Sequence, residues 1–229
     1  MKISSQFSKY ATHYGNYNII QNQVVSKLVD SIKNRPKKIL DLGCGNGALY
    51  KSIRWDLDAF IGVDFAKGML ELHPKESKVE CLYGDFNDEA LFKLLKNSYR
   101  FDYIVSASAL QWADNLDAVM HNIALLDAPV ALAIFTSATF QTLNATAGLP
   151  PLLSSAASIE ELQKKYFPNT KFELVRYQLE FESVREMFRY IKKSGVSGSR
   201  RVLSYKATKK LMQEYPLNYL EFEVAFITH

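Results

Sequence analysis

At 229 residues the chain has the length of one domain, and its 48% hydrophobic content suffices for a single buried core. Two cysteines, Cys44 and Cys81, exclude a disulfide framework, and four scattered histidines, His13, His73, His121 and His229, carry no metal-ligand spacing. The longest apolar stretch, around Pro129 to Phe135, is too short to span a bilayer, and no signal-like run opens the chain; the expectation is a soluble, cytoplasmic protein. The formal charge of +4 is uneven: between Arg185 and Lys210 nine Lys or Arg stand against one acid, Glu186, so that segment is +8 and the remainder −4. A concentrated basic region on a mildly acidic body predicts an acidic partner.

Phe7, Tyr10, Ala11 and Tyr14 fall at i, i+3, i+4 and i+7, an aromatic helical stripe that serves either as a lid or as packing on a sheet edge. A second helix is predicted over 18–33, with Ile20, Val24, Leu28 and Ile32 inward and Pro36 beyond its end. Ile39-Leu40-Asp41-Leu42 then reads as a strand running into Gly43-Cys44-Gly45-Asn46-Gly47, with a helix starting near Ala48. The glycines permit positive φ and close approach of a ligand, and Asp41 stands at the edge where open α/β sheets bind ligands. Gly43 to Ala48 also fits the loose dinucleotide pattern G-x-G-x-x-A, with Asp64 about 20 residues on. An acid two residues before the first glycine repels a pyrophosphate but attracts an amino group. The turn is therefore read as a site for S-adenosylmethionine, built on Asp41, Gly43 and Gly45.

Ala59 to Asp64 is a buried-type strand that delivers Asp64, an acid placed to bind both ribose hydroxyls, with Phe65 beside it. Met69 and Leu70 face a short helix stopped by Pro74. Strand three, Val79 to Tyr83, ends in Gly84-Asp85-Phe86, where Asp85 accepts from an adenine amine and Phe86 flanks the ring. A helix capped by Asp88 follows. Phe101 to Ser106 reads as strand four, with Ser106 at the cofactor. It opens into Ala107-Ser108-Ala109-Leu110-Gln111-Trp112, the wall between cofactor and acceptor, before a helix capped by Asp114. Val130 to Phe135 is strand five. Five strand–helix alternations predict a doubly wound, mostly parallel α/β sheet.

In the last third, Ser158 with Glu161 and Ser183 with Glu186 read as capping boxes, flanking a strand over Lys171 to Phe181. In the helix after Ser183, Val184, Met187, Phe188 and Ile191 share one face while Arg185, Arg189, Lys192 and Lys193 share another, with Gly195 as stop signal. Tyr219 to Thr228 alternates strictly, with Leu220, Phe222, Val224 and Phe226 on one side, and is predicted antiparallel. The whole is read as one domain: a helical lid over 1–35, a cofactor-binding core over 36–136 and a substrate- and partner-facing part over 137–229.

Asp41-Leu-Gly-Cys-Gly-Asn-Gly47, Asp64, Gly84-Asp85, Phe101-Asp102 and the C-terminal antiparallel strand together resemble the class I S-adenosylmethionine-dependent methyltransferases, with a seven-stranded Rossmann-like sheet. More narrowly, Phe7 to Tyr14, Ala109 to Trp112, Phe135-Thr136 and Tyr215 to Tyr219 resemble the malonyl-acyl-carrier-protein O-methyltransferases of biotin synthesis. Leu125 to Pro129 replaces the arginine- and glycine-rich turn usual there, and the segment after Gly195 is shorter. The resemblance implies methylation of the free carboxylate of a malonyl thioester. Tyr14 would close over the site, Gln111 and Trp112 would line it, Arg200 or Arg201 would hold the carboxylate, and the basic face would meet an acyl carrier protein. Rival readings stand beside it: a methyltransferase of the same class acting on a small carboxylic acid or on tRNA or another nucleic acid, a short-chain dehydrogenase suggested by Tyr205-x-x-x-Lys209, and a non-catalytic cofactor- or partner-binding protein on the same fold.

Overall fold

The computed structural model describes residues 18–194 and 204–229, with the backbone alone for residues 192–194 and 205. The aromatic stripe ending at Tyr14, together with Gly195, Arg200 and Arg201, lies outside the described residues, as do the Lys192 and Lys193 side chains.

Helix α1 (Ile19–Ser31) leads into β1 (Lys38–Leu42), the glycine turn and the short α2 (Ala48–Ser52). There follow β2 (Ala59–Asp64), α3 (Lys67–Leu72), β3 (Val79–Tyr83), α4 (Glu89–Ser98) and β4 (Tyr103–Ala107). A 3-10 turn over Leu110–Trp112 precedes α5 (Leu116–Ala124), β5 (Val130–Phe135), α6 (Gln141–Thr146) and α7 (Ala156–Tyr166). The chain closes with β6 (Lys171–Glu180), α8 (Val184–Ser194), α9 (Tyr205–Glu214) and β7 (Tyr219–Thr228). The seven strands form one sheet in the order β3-β2-β1-β4-β5-β7-β6. β1 to β5 pair in parallel, and β7 is antiparallel to both β5 and β6, with Phe135 opposite Val224 and Val224 opposite Val175. The doubly wound sheet with its antiparallel last strand thus stands as the alternation predicts.

Period-2 alternation divides the strands between two cores. Ile39, Phe60, Tyr103, Val105, Phe222, Val224 and Phe226 pack against Ile20, Val24 and Leu28 of α1 and Met187 of α8. Leu40, Leu42, Ile104, Leu132 and Ile134 pack on the other face against α4, α5 and Ile159 of α7. Among the described residues no helix is long and apolar enough to cross a membrane, and no group of three or more His, Cys, Asp or Glu is placed to hold a metal. Both cysteines are free thiols, and burial pushes the Cys44 thiol far above its ordinary value.

Two caps differ from expectation. The side chain of Asn115, not Asp114, accepts from Ala118 N at the start of α5 (3.1 Å), because the helix starts one residue later; the Asp114 N–H donates to Asn87 Oδ1 at 2.8 Å. Ser155, not Ser158, caps α7 by accepting from the Ser158 N–H (3.1 Å); the helix starts a turn earlier, so Ser158 lies inside it. Ser183 does accept from the Glu186 N–H, at 3.3 Å. Helices α6 and α9, absent from the sequence reading, are additional; α9 starts at the Ser204 cap, which accepts from Ala207 N at 3.2 Å.

Beyond the end of β5, Thr136 and Phe140 donate their N–H groups to Glu223 O (2.9 Å) and Glu221 O (2.8 Å), so the chain follows β7 upward. The Glu223 side chain is buried here at 7% exposure; it accepts from Thr136 Oγ1 at 2.8 Å and from Arg176 Nε at 2.9 Å. The Arg176 side chain is 83% exposed, so this ion pair adds little to stability, and the Thr136 hydroxyl carries the burial. Thr136→Val is expected to cost about 1–3 kcal/mol in urea unfolding by leaving a buried carboxylate oxygen unpaired; an unchanged midpoint would show that solvent already satisfies it.

Candidate cofactor and acceptor site

The glycine turn hangs from the carboxyl end of β2. Gly43 N and Cys44 N both donate to Val63 O, at 2.8 and 3.0 Å, and Gly45 N donates to Asp64 Oδ2 at 2.9 Å. Asp64 Oδ1 accepts from Ala66 N at 2.8 Å, so this carboxylate ties the turn to the start of α3. Burial raises its pKa despite those amides. Each oxygen keeps a second lone pair for a hydroxyl.

The glycines differ in what they face. Gly43 adopts φ +78° with Ala109 packed where a Cβ would stand, and a Cβ at Gly47 would lie 2.6 Å from Pro74 Cδ. Gly45, at φ +53°, has nothing within 4 Å of that position. Gly45 is thus the open point of the cradle, while Gly43 and Gly47 let protein approach protein.

Asp41 is 1% exposed and its Oδ2 is buried with no hydrogen-bond partner. Desolvation first, and the neighbouring Asp64 second, push its pKa up to about 8. An orphaned carboxylate in an apolar wall is costly unless a cation meets it. The α-ammonium of S-adenosylmethionine would supply that cation, the open face of Gly45 would admit its backbone, and Asp64, at the end of the neighbouring strand, would take the ribose. The residues present fit this cofactor.

Asp41 and Asp64 share the α1 face of the sheet with Ile39 and Phe60. The side chain of Ser106, expected at the cofactor, does not join them on that face. It falls in alternation with Ile104 on the opposite face, is wholly buried, and donates to Leu42 O at 2.7 Å. It secures the end of β1 and so acts on Asp41 indirectly. Counting alternation from Ile104 would have revealed this. Phe65 is half-buried; Phe86 is buried close to Gly43. Asp85 is exposed, and its Oδ1 accepts from both Asn87 N and Asn87 Nδ2 at 2.9 Å.

The wall beside the cradle is a strained turn. Ser108 adopts φ +60°, pinned by its N–H to Ala133 O (2.9 Å) and by Gln111 Nε2 donating to its carbonyl (2.7 Å). Ser108 Oγ and Gln111 Oε1 are both left buried without partners. Gln111 therefore presents an acceptor, unsuited to a carboxylate, whereas the Ser108 hydroxyl can donate to one. Trp112 is half-buried in the same 3-10 turn. The sequence reading passed over Ser108, and it passed over Asn18, Gln21 and Tyr177, whose side-chain oxygens are also buried without partners. A signal existed for Gln21: a polar residue four before Val25 and seven before Leu28 occupies the apolar stripe.

A family model described as a methyltransferase domain matches residues 40–129, which span β1 to the end of the α5–β5 connection. The chain is 27% identical over 237 aligned residues to a malonyl-[acyl-carrier protein] O-methyltransferase of Brevibacillus brevis, covering 93% of this chain and 85% of that one. It is 26% identical to the protein of the same name from Chlorobium luteolum, covering 87% and 80%. Among solved structures it is similar to the YcgJ protein of Bacillus subtilis, with a TM-score of 0.62 at 13% identity over 90% of this chain and 98% of that one, a likeness of fold. The orphaned Asp41 carboxylate, the open glycine turn and the β3-β2-β1-β4-β5-β7-β6 sheet accord with these matches, which give the chain an S-adenosylmethionine-dependent methyltransferase domain.

Proposed function

We propose that this methyltransferase esterifies the free carboxylate of a malonyl thioester presented by an acyl carrier protein. The observation that carries the reading is similarity to malonyl-[acyl-carrier protein] O-methyltransferases over 86–93% of the chain in several relatives. When bound, the cofactor supplies an electrophilic methyl group on a sulfonium. The acceptor carboxylate is already ionised at neutral pH, so its oxygen takes the methyl with no proton to remove. Two opposite charges vanish, and a water-poor site favours that. The work left to the protein is positioning, which supplies ~7–11 kcal/mol when the geometry is close to attack. In this reading the Ser108 hydroxyl donates toward the acceptor, Tyr14 covers it, and Arg200 or Arg201 holds its carboxylate.

The carrier would dock on the connection between β6 and β7. Arg185 and Arg189 are exposed on α8, and Lys206, Lys209 and Lys210 are exposed on α9. The two helices meet through Phe188 and Tyr215, rings 6.4 Å apart. An acidic carrier surface complements this face and Lys192 and Lys193 with it. The reading is tested by methyl transfer from labelled cofactor to malonyl-carrier protein, with acetyl-carrier protein as the control lacking a carboxylate. Base-labile label on malonyl alone is expected; label on neither would end the malonyl assignment. Reversal of Arg185 and Arg189 to Glu is expected to raise KM for the carrier-bound substrate roughly tenfold, with added salt weakening the native enzyme likewise. Unchanged kinetics would make the basic face an ordinary solvated surface.

A further inference from the structure

Buried polar atoms without partners are rare and ask for a ligand. Asp41 Oδ2 is met by the cofactor, and Ser108 Oγ and Gln111 Oε1 line the acceptor wall. Three others packed with the α1-face core, Asn18 Oδ1, Gln21 Oε1 and Tyr177 Oη, lie beyond what the cofactor accounts for.

Their placement follows from one tie. Lys27 of α1 pairs with Glu173 of β6 at 2.9 Å and stands over the Phe226 ring, 5.4 Å from its centroid. From there α1 runs back toward its N-terminus as β6 runs forward, both toward the carboxyl edge of the sheet. Gln21, six residues before Lys27, stands ~9 Å up at the helical rise. Tyr177, four residues past Glu173, stands ~13 Å up at the strand rise. Gln21 lies ~120° round the helix from Lys27, on the stripe with Val25 and Leu28, and α1 packs on β4, β5 and β7. Asn18 is its i−3 neighbour, one turn nearer the edge. Tyr177 lies opposite Phe222, among the same core residues as Ile20 and Leu179. From β4 to β6 is three strand steps, ~14 Å. A line of polar points on apolar ground therefore leads away from the methyl-transfer site along the sheet edge.

The chemistry of the points is specific. Asn18 Oδ1 and Gln21 Oε1 accept, and the Tyr177 hydroxyl donates. A pantetheine-type acyl arm carries secondary amides, each with one N–H and one carbonyl, spaced by methylenes. A carboxylic acid without that arm has no N–H to offer. We propose that the strip from Asn18 and Gln21 to Tyr177 binds the amide-bearing arm of the acceptor thioester, the two side-chain carbonyls accepting from amide N–H groups and the tyrosine donating to an amide carbonyl. This rests on the thioester reading above.

Two measurements separate the strip from that reading. The first compares methyl transfer to malonyl-pantetheine and to an amide-free malonyl ethanethiol ester. The native enzyme is expected to prefer the pantetheine ester in kcat/KM by about tenfold, and Gln21→Met and Tyr177→Phe each to shrink that preference roughly threefold to tenfold. Equal losses on both esters would assign the side chains a structural role and overturn the proposal. The second titrates pantetheine alone into the cofactor-loaded protein by calorimetry. Binding that weakens in both variants supports the strip even where no malonyl ester is methylated, in which case only the acceptor assignment falls. Failure of the native protein to bind pantetheine, or binding indifferent to both substitutions, overturns it. Met keeps the length of Gln21 and Phe keeps the Tyr177 ring, and circular dichroism verifies folding.

Discussion

Asp41→Asn is expected to weaken S-adenosylmethionine binding by roughly tenfold to a hundredfold in calorimetric titration, the equivalent of a charge-assisted hydrogen bond of about 1.5–3 kcal/mol. Asp41 is 1% exposed, orphaned at Oδ2 and pushed up to about 8 by burial and by Asp64, so protonation offsets its desolvation in the free protein and the ligand's ammonium would do so for the ionised form. The same substitution is expected to raise the melting temperature of the cofactor-free protein. An acid whose pKa is higher folded than unfolded takes up a proton on folding, so its contribution to stability falls as pH rises from about 3.8 to about 8 and then levels. The native protein is thus expected to lose stability across that window and Asp41→Asn to lose less. Ammonium binding favours the ionised form, so between pH 6 and 7.5 cofactor binding releases a proton, read as a dependence of calorimetric enthalpy on the buffer. Unchanged affinity in Asp41→Asn would remove the carboxylate from the cofactor's contacts.

Gly43→Ala is expected to abolish detectable cofactor binding and to cost roughly 2–5 kcal/mol, combining overpacking with a left-handed backbone. The added Cβ would occupy the place of the Ala109 Cβ at φ +78°. Relief needs the turn to leave Val63 O or the 3-10 turn after β4 to shift, and both shape the site. Gly45→Ala makes the contrast. With nothing within 4 Å of the new atom, its cost is the strain of φ +53°, about 1–2 kcal/mol, and its loss of affinity comes from entering the ligand's space. Thermal melts and cofactor titration of the pair check this: comparable stability losses would mean that the Ala109 contact yields easily.

Much of the site was legible because it is local. A strand ending in Asp41, three glycines at spacing two and an acid closing the next strand dictate the turn and its charge through backbone sterics alone. Asp88 caps α4 as read, with Ala90 N at 2.9 Å, for the same reason. The orientation of Ser106 was not read, because a residue beside a cleft in sequence can point to the other side of a sheet, and its hydroxyl donates to Leu42 O. Gln111 was legible as polar but not as an acceptor, since its orientation is set by the Ser108 carbonyl, held in turn by Ala133 on another strand.

The sequence by itself determined the alternating sheet, the antiparallel last strand and the glycine turn at positive φ between β1 and α2, because hydrophobic period and glycine conformation are short-range properties. Only the tertiary structure decided that β7 lies between β5 and β6, that Ala109 fills the space at Gly43, and that the side-chain oxygens of Asn18, Gln21 and Tyr177 are buried without partners. Those facts depend on which distant segments pack together and which polar atoms that packing leaves unmatched, and spacing along the chain signals only a part of them, as with Gln21 in the apolar stripe of α1.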